Sequence, residues 1–161
     1  MHSVREALAS DAPAIASIYN EGIATFETGS RTVPDVESWF ESGRYPIVVV
    51  EDSDGVIAWA AAHRHSPRAC CDGIVEVSVY VARRARSRGA GRAALEKLLC
   101  RCDRQGFSKA LSRVFTDNVR SRALRRSLGF REVGVYLRHA RLDGAWKDCV
   151  IVERLLGDAA S

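Results

Sequence analysis

The segment from residue 74 to residue 106 limits what this chain can fold into more than any other. Ile74–Val81 alternates, with Val75, Val77, Val79 and Val81 on one side and Glu76, Ser78 and Tyr80 on the other, which is the period of a strand. Arg83, Arg84, Arg86, Arg88 and Arg92 follow, five arginines within ten positions, broken by Gly89 and Gly91. Across Gly89–Gln105 the positions Gly91, Ala94, Leu95, Leu98, Leu99 and Cys102 recur at three- and four-residue intervals, the mark of an amphipathic helix, and Gly106 closes it. A strand that runs through a basic, glycine-containing loop into a helix is suited to holding an anion. Amides in a first helical turn have no intrahelical carbonyl, and the helix dipole favours negative charge there. Glycines let a diphosphate approach with no Cβ in the way, and Arg86, Arg88 and Arg92 add charged donors. The loop has neither the Gly-Lys-Ser/Thr of a nucleotide P-loop nor the third glycine of a dinucleotide fingerprint.

Around this segment the chain reads as one domain, residues 1–161, with no repeat, low-complexity tract or linker. Ser3–Ala7 suits an edge strand, and Ser10-Asp11 with Pro13 opens a helix carrying Ile15, Ile18, Tyr19, Gly22 and Ile23. Thr32 and Pro34 start a short helix with Val36, Trp39 and Phe40, ended by Gly43. Ile47–Glu51 and Val56–His63 read as a hairpin turning at Asp52–Gly55. Ala110–Phe115 is a further strand, and Asp117 or Asn118 caps a helix that runs to Leu128 before Gly129. Arg131–Arg141 and Cys149–Leu156 are the last strands, turning at Leu142–Ala145. The expected fold is α+β: a mixed, mostly antiparallel sheet with helices on both faces.

Composition removes several classes. The 47% hydrophobic and 27% charged content is that of a soluble globular protein. No apolar run approaches the roughly 18 residues of a membrane span, and residues 1–20 carry Arg5, Glu6 and Asp11 in place of a signal-peptide core. A cytoplasmic protein without membrane partners is expected. Five cysteines, Cys70, Cys71, Cys100, Cys102 and Cys149, form an odd set with no zinc-type spacing, so they read as free thiols and no metal is expected. The net charge is only +4, but Arg120, Arg122, Arg125 and Arg126 make a second basic group. Two such groups suit a polyanionic ligand or, equally, solvated helix faces. Neither is interleaved with aromatics or matches a nucleic-acid reader, so no nucleic-acid partner is expected.

The pattern Arg86-x-x-Gly89-x-Gly91, with Asn118-x-x-Ser121 and Leu128-Gly129-Phe130 downstream, resembles the acetyl-CoA pyrophosphate loop and second block of the GNAT N-acetyltransferases. Ile18–Ile23, Thr25–Thr28, Val75–Val81 and Arg141–Asp148 carry the likeness further. They resemble the phosphinothricin N-acetyltransferases and their relatives, the arsinothricin N-acetyltransferases. The resemblance implies transfer of acetyl from acetyl-CoA to the α-amine of a small glutamate-like amino acid, conferring resistance, by a homodimer. Related members act on methionine sulfone and sulfoximine, and this alternative stays open.

The resemblance also implies roles for individual residues. Val79, Tyr80 and Val81 flank the pantetheine arm. Arg86, Ser87, Arg88, Gly89, Ala90, Gly91 and Arg92, with Asn118 and Ser121, bind the cofactor. Phe26, Glu27, Arg68, Glu76 and Ser78 form the acceptor pocket, with Tyr136, Arg138 and His139 as further candidates. Glu76 is the expected catalytic base. As the only acid in its apolar strand it is expected to be buried, which would raise its pKa toward the working pH. A structural acid paired with an arginine is the competing reading. Three positions depart from the family: Ser66 replaces a basic residue and Cys71 an aromatic, and Arg125 stands where many members carry a tyrosine that protonates the leaving thiolate. Arg64 or His65 could compensate for Ser66, and Tyr80 could replace the missing tyrosine.

Overall fold

The computed structural model describes residues 1–23 and 30–161. They divide into two compact units, Met1–His63 with Val77–Cys102 and Arg64–Glu76 with Asp103–Ser161. The fold class is the expected one, α+β, with seven strands and four α-helices among the described residues.

In the first unit β1 (Ser3–Glu6), β2 (Ile47–Asp52) and β3 (Gly55–Arg64) pair antiparallel in that order, and the C-terminal part of β4 (Ile74–Val81) lies next to β3. α1 (Ala12–Ile23) and α2 (Val33–Glu37) cover an aromatic core. Thr32 caps α2 by accepting from the Asp35 amide at 3.2 Å, and Asp35 accepts from the Thr32 amide at 2.8 Å, a reciprocal cap that fixes where the short helix begins. Trp59 is fully buried, stacks on Tyr80 at 4.9 Å between centroids and tilts against Trp39 at 5.5 Å. Tyr19 on α1 completes the group, 5.0 Å from Tyr80. The helix after the basic loop, α3, spans Ala90–Arg104, and its buried stripe is Ala94, Leu95, Leu98, Leu99 and Cys102, as its periodicity predicts, with Ala90 buried at its start where Gly91 was expected. Full burial of a leucine such as Leu95 or Leu98 stabilises by about 1.5–3 kcal/mol.

In the second unit the N-terminal part of β4 pairs parallel with β5 (Lys109–Phe115), matching Ile74 to Lys109 and Glu76 to Leu111. β5 pairs antiparallel with β7 (Ala145–Leu155), which pairs with β6 (Arg131–Leu142). Asn118 is the cap of α4 (Val119–Ser127), its side chain accepting from the Ser121 amide at 3.2 Å. Of the two candidate caps, Asn118 rather than Asp117 does this work. β7 begins four residues before the expected Cys149. Asp143 and Gly144 both take positive φ, 49° and 76°, so a two-residue turn starts pairing at once between Leu142 and Ala145. The Trp146-Lys147-Asp148 stretch lacks the apolar alternation that marks a strand in sequence, which hid this extension.

Candidate active site

β4 presents Glu76, Ser78 and Tyr80 on one side, half-buried, while Val75 and Val77 on the other are fully buried. The predicted alternation therefore holds, but the predicted burial of Glu76 does not. Its side chain is 31% exposed, because its apolar neighbours point the opposite way. Two basic side chains flank its carboxylate. His65 Nδ1 lies 3.2 Å from Oε1, and Arg113 Nη2 donates to Oε2 at 3.3 Å. A half-exposed carboxylate bracketed by an imidazole and a guanidinium can accept a proton from a nearby ammonium directly or through one water.

Sequence reasoning gave His65 only a compensating role and missed Arg113. Arg113 reaches Glu76 because Leu111 is the parallel partner of Glu76, and Arg113 is two residues further along the same face of β5. Parallel register across an intervening helix leaves no local signal. Arg68 is exposed at the start of the turn before β4, and Arg64 donates to the Ser66 and Pro67 carbonyls at 3.1 and 3.2 Å, bracing the same loop. Phe26 and Glu27 lie outside the described residues.

The basic loop follows β4 in the first unit. Ser87 and Gly89 take positive φ, 65° and 78°, on either side of Arg88, the kind of backbone from which anion-binding concavities are built. The α3 ladder opens with the Ala93 amide donating to the Gly89 carbonyl at 3.0 Å, so the amides of Ala90, Gly91 and Arg92 lie ahead of it. A Cβ placed on Gly89 would meet nothing within 4 Å, so the space beside this turn is open. Arg86, Arg88 and Arg92 are exposed around it. Arg84 and Arg88 each donate to Asp52 Oδ2 at 3.2 Å, from the β2–β3 turn. The Asp54 amide and these guanidiniums hold the Asp52 carboxyl below the usual range. No local signal marks this anchor, because nothing at a hairpin distinguishes a carboxylate that folds back on arginines more than thirty residues away.

Three arginines of the second group make contacts within the fold. Arg122 grips Glu132 with Nε at 2.7 Å and Nη2 at 3.0 Å, and Arg126 donates to the same carboxylate at 3.4 Å. Arg125 is 4% exposed and donates to Ser112 Oγ at 2.8 Å and to the Ser121 hydroxyl. Thus Asn118 and Ser121, expected at the cofactor, are engaged in capping α4 and in holding Arg125. Tyr80, weighed as a proton donor, has its ring in the aromatic core. Tyr136, Arg138 and His139 sit on the exposed face of β6, the Tyr136 ring 4.8 Å from His139. Among the described residues no group of three or more His, Cys, Asp or Glu side chains is placed to hold a metal ion.

The model of the acetyltransferase (GNAT) family matches residues 7–130. The chain belongs to this family. An L-methionine sulfoximine/L-methionine sulfone acetyltransferase of Pseudomonas aeruginosa is 31% identical, over 94% of this chain and 92% of that protein. A phosphinothricin N-acetyltransferase of Alcaligenes faecalis is 29% identical, over 96% of this chain and 82% of that one. The crystal structure of a GNAT superfamily phosphinothricin acetyltransferase from Sinorhizobium meliloti, in complex with AcCoA, superposes with a TM-score of 0.89 at 32% identity, covering 98% of this chain and 89% of that one. As a GNAT member the chain is an N-acetyltransferase whose acyl donor is acetyl-CoA. The open, left-handed turn at Ser87–Gly89 and the first turn of α3 fit the diphosphate of that donor.

Proposed function

We propose that this GNAT enzyme acetylates the α-amine of a small, acidic, glutamate-like amino acid such as phosphinothricin or arsinothricin, and so detoxifies it in the cytoplasm. The observation that carries the reading is the Glu76 carboxylate, open to solvent and flanked by His65 and Arg113. An amino acid with a second anionic group needs cations for its carboxylate and oxyanion beside a proton acceptor for its ammonium. Arg113 and Arg68 meet the first need, with the His65 imidazole as a further hydrogen-bonding group, and Glu76 meets the second. Glu76 takes one ammonium proton, the neutral amine attacks the thioester carbonyl, and the CoA thiolate leaves as the second proton passes from nitrogen to it directly or through water. Acetyl-CoA supplies the activated acyl group. The backbone of Val79–Val81 aligns its arm, the Val79 amide polarises the carbonyl, and residues 86–92 hold its diphosphate. Ser78 lines the acceptor pocket in this reading, and two copies of the chain form the working enzyme.

The 31% identity to the Pseudomonas aeruginosa enzyme favours a second acceptor class, methionine sulfoximine and sulfone. Purified protein with acetyl-CoA and a thiol-trapping reagent, offered phosphinothricin, arsinothricin, methionine sulfoximine and methionine sulfone in turn, separates the two. Preference for the phosphinate or arsinate supports the first reading, and preference for the sulfur analogues supports the second. Turnover with protein N-termini or lysines alone overturns both.

A further inference from the structure

Cys70 and Cys71 close the 3-10 turn Ala69–Cys71 that precedes β4, and no step of acetyl transfer uses them. Adjacent cysteines on extended backbone throw their side chains to opposite sides. Here the turn gathers them, and the two Sγ atoms lie 3.8 Å apart as free thiols. The turn is held at both ends. The Cys71 amide donates to the Arg68 carbonyl at 3.0 Å, and the Asp72 amide donates to the Ala69 carbonyl at 3.2 Å. The Gly73 carbonyl accepts from the Ser108 amide at 2.8 Å and from its hydroxyl at 3.2 Å. Cys70 is exposed and Cys71 half-exposed, so an electrophile can reach both.

The geometry points to a preformed dithiol site for a soft, three-coordinate centre with two exchangeable ligands, namely a trivalent organoarsenical R–As(OH)2. Soft thiol ligands select such centres, and a pyramidal arsenic with bond angles near a right angle needs its two sulfurs close together on one side. In the reaction two As–O bonds break and two As–S bonds form. Each thiol proton leaves with a hydroxide as water, and arsenic stays trivalent, so no oxidant or reductant is consumed. The chelate gains because the second As–S bond forms within a ring whose members are already neighbours. Nothing in this depends on which amine the enzyme acetylates.

The remaining cysteines supply controls. Cys102 and Cys149 are buried, and burial pushes the Cys102 thiol up to about 12. Cys100 is exposed on α3, where a lone thiol can bind an arsenical only singly. The test treats the purified enzyme with phenylarsine oxide in the presence of excess glutathione and reads intact mass and free thiols. The expected result is one phenylarsenic group per chain that glutathione does not remove and dimercaptopropanol does, with two thiols lost. Cys70→Ser and Cys71→Ser are each expected to weaken retention on the order of 100-fold, and Cys100→Ser to leave it unchanged. Should a serine variant misfold, wild-type protein loaded with the arsenical and then alkylated gives the same information, with Cys70 and Cys71 protected together and Cys100 modified. Retention at wild-type strength in either single variant, loss in Cys100→Ser, or no adduct surviving glutathione overturns the assignment.

Discussion

Replacing Glu76 by glutamine keeps the size of the side chain but removes the charge that pairs with Arg113 and the ability to take a proton. In Glu76→Gln, kcat is expected to fall by about 100-fold or more while acetyl-CoA affinity, read by calorimetry, stays at the wild-type value. Unchanged turnover at every pH would take Glu76 out of the reaction. Glu76 was legible in the sequence as a lone acid among valines, and so were its companions on the same face of the strand. Its surroundings were not. Apolar neighbours in sequence suggested a desolvated carboxylate, whereas alternation sends those neighbours to the far side and leaves Glu76 beside His65 and Arg113. A residue's flanking letters describe the opposite face of a strand, and this is why burial was misjudged although the face was right. Arg125 teaches the complementary lesson. In sequence it is one of four clustered arginines, and in the fold it is buried against Ser112 and Ser121.

Elements were the most legible level, because their boundaries are set by local chemistry. The Thr32 and Asn118 side chains cap their helices where expected, Gly106 ends α3 through its positive φ of 87° and its amide bond to the Asp103 carbonyl, and β4 spans the predicted residues. Pairing between elements supplies what capping cannot, and two variants probe it. Gly73 packs against Ser108, the residue just before β5, and a Cβ there would lie 2.7 Å from Ser108 Oγ. Gly73→Ala is therefore expected to lower stability by about 1–3 kcal/mol in urea denaturation, with part of the loss recovered in a Ser108→Ala background. At the other end of the chain Arg5 on β1 donates to Asp11 at 2.8 and 3.0 Å and to Glu51 on β2 at 3.1 Å. The Arg5 contact, helped by the Leu8 amide, holds the Asp11 carboxyl below its ordinary value. A carboxylate depressed in the folded state stabilises fully above its unfolded pKa of about 4 and loses that contribution as pH falls through the folded value. Asp11→Asn is thus expected to be less stable than wild type at neutral pH, with the difference shrinking below about pH 4 when urea midpoints are compared across pH.

For the molecule as a whole, the strand at the edge of the second unit suggests what a second copy would cover. β6 is exposed along nearly its whole length and carries Val133, Val135, Tyr136 and Leu137, the last 75% exposed. Its unpaired side and apolar side chains are features that sheet proteins otherwise blunt. Sedimentation is expected to give a dimer for the wild type and to shift toward monomer in Leu137→Glu. A monomer at all concentrations would leave the strand without that role. No helix among the described residues is long and apolar enough to cross a membrane. The chain's modest net charge of +4 conceals an uneven distribution, and the fold makes different use of its two arginine groups. Glu132 draws one inward, while Asp52 tethers Arg84 and Arg88 by their tips. Long side chains normally roam among many rotamers and must be stilled when a ligand arrives. Here the hairpin has stilled two of them in advance, so under the proposed role of this loop a diphosphate would meet guanidiniums that have little wandering left to give up.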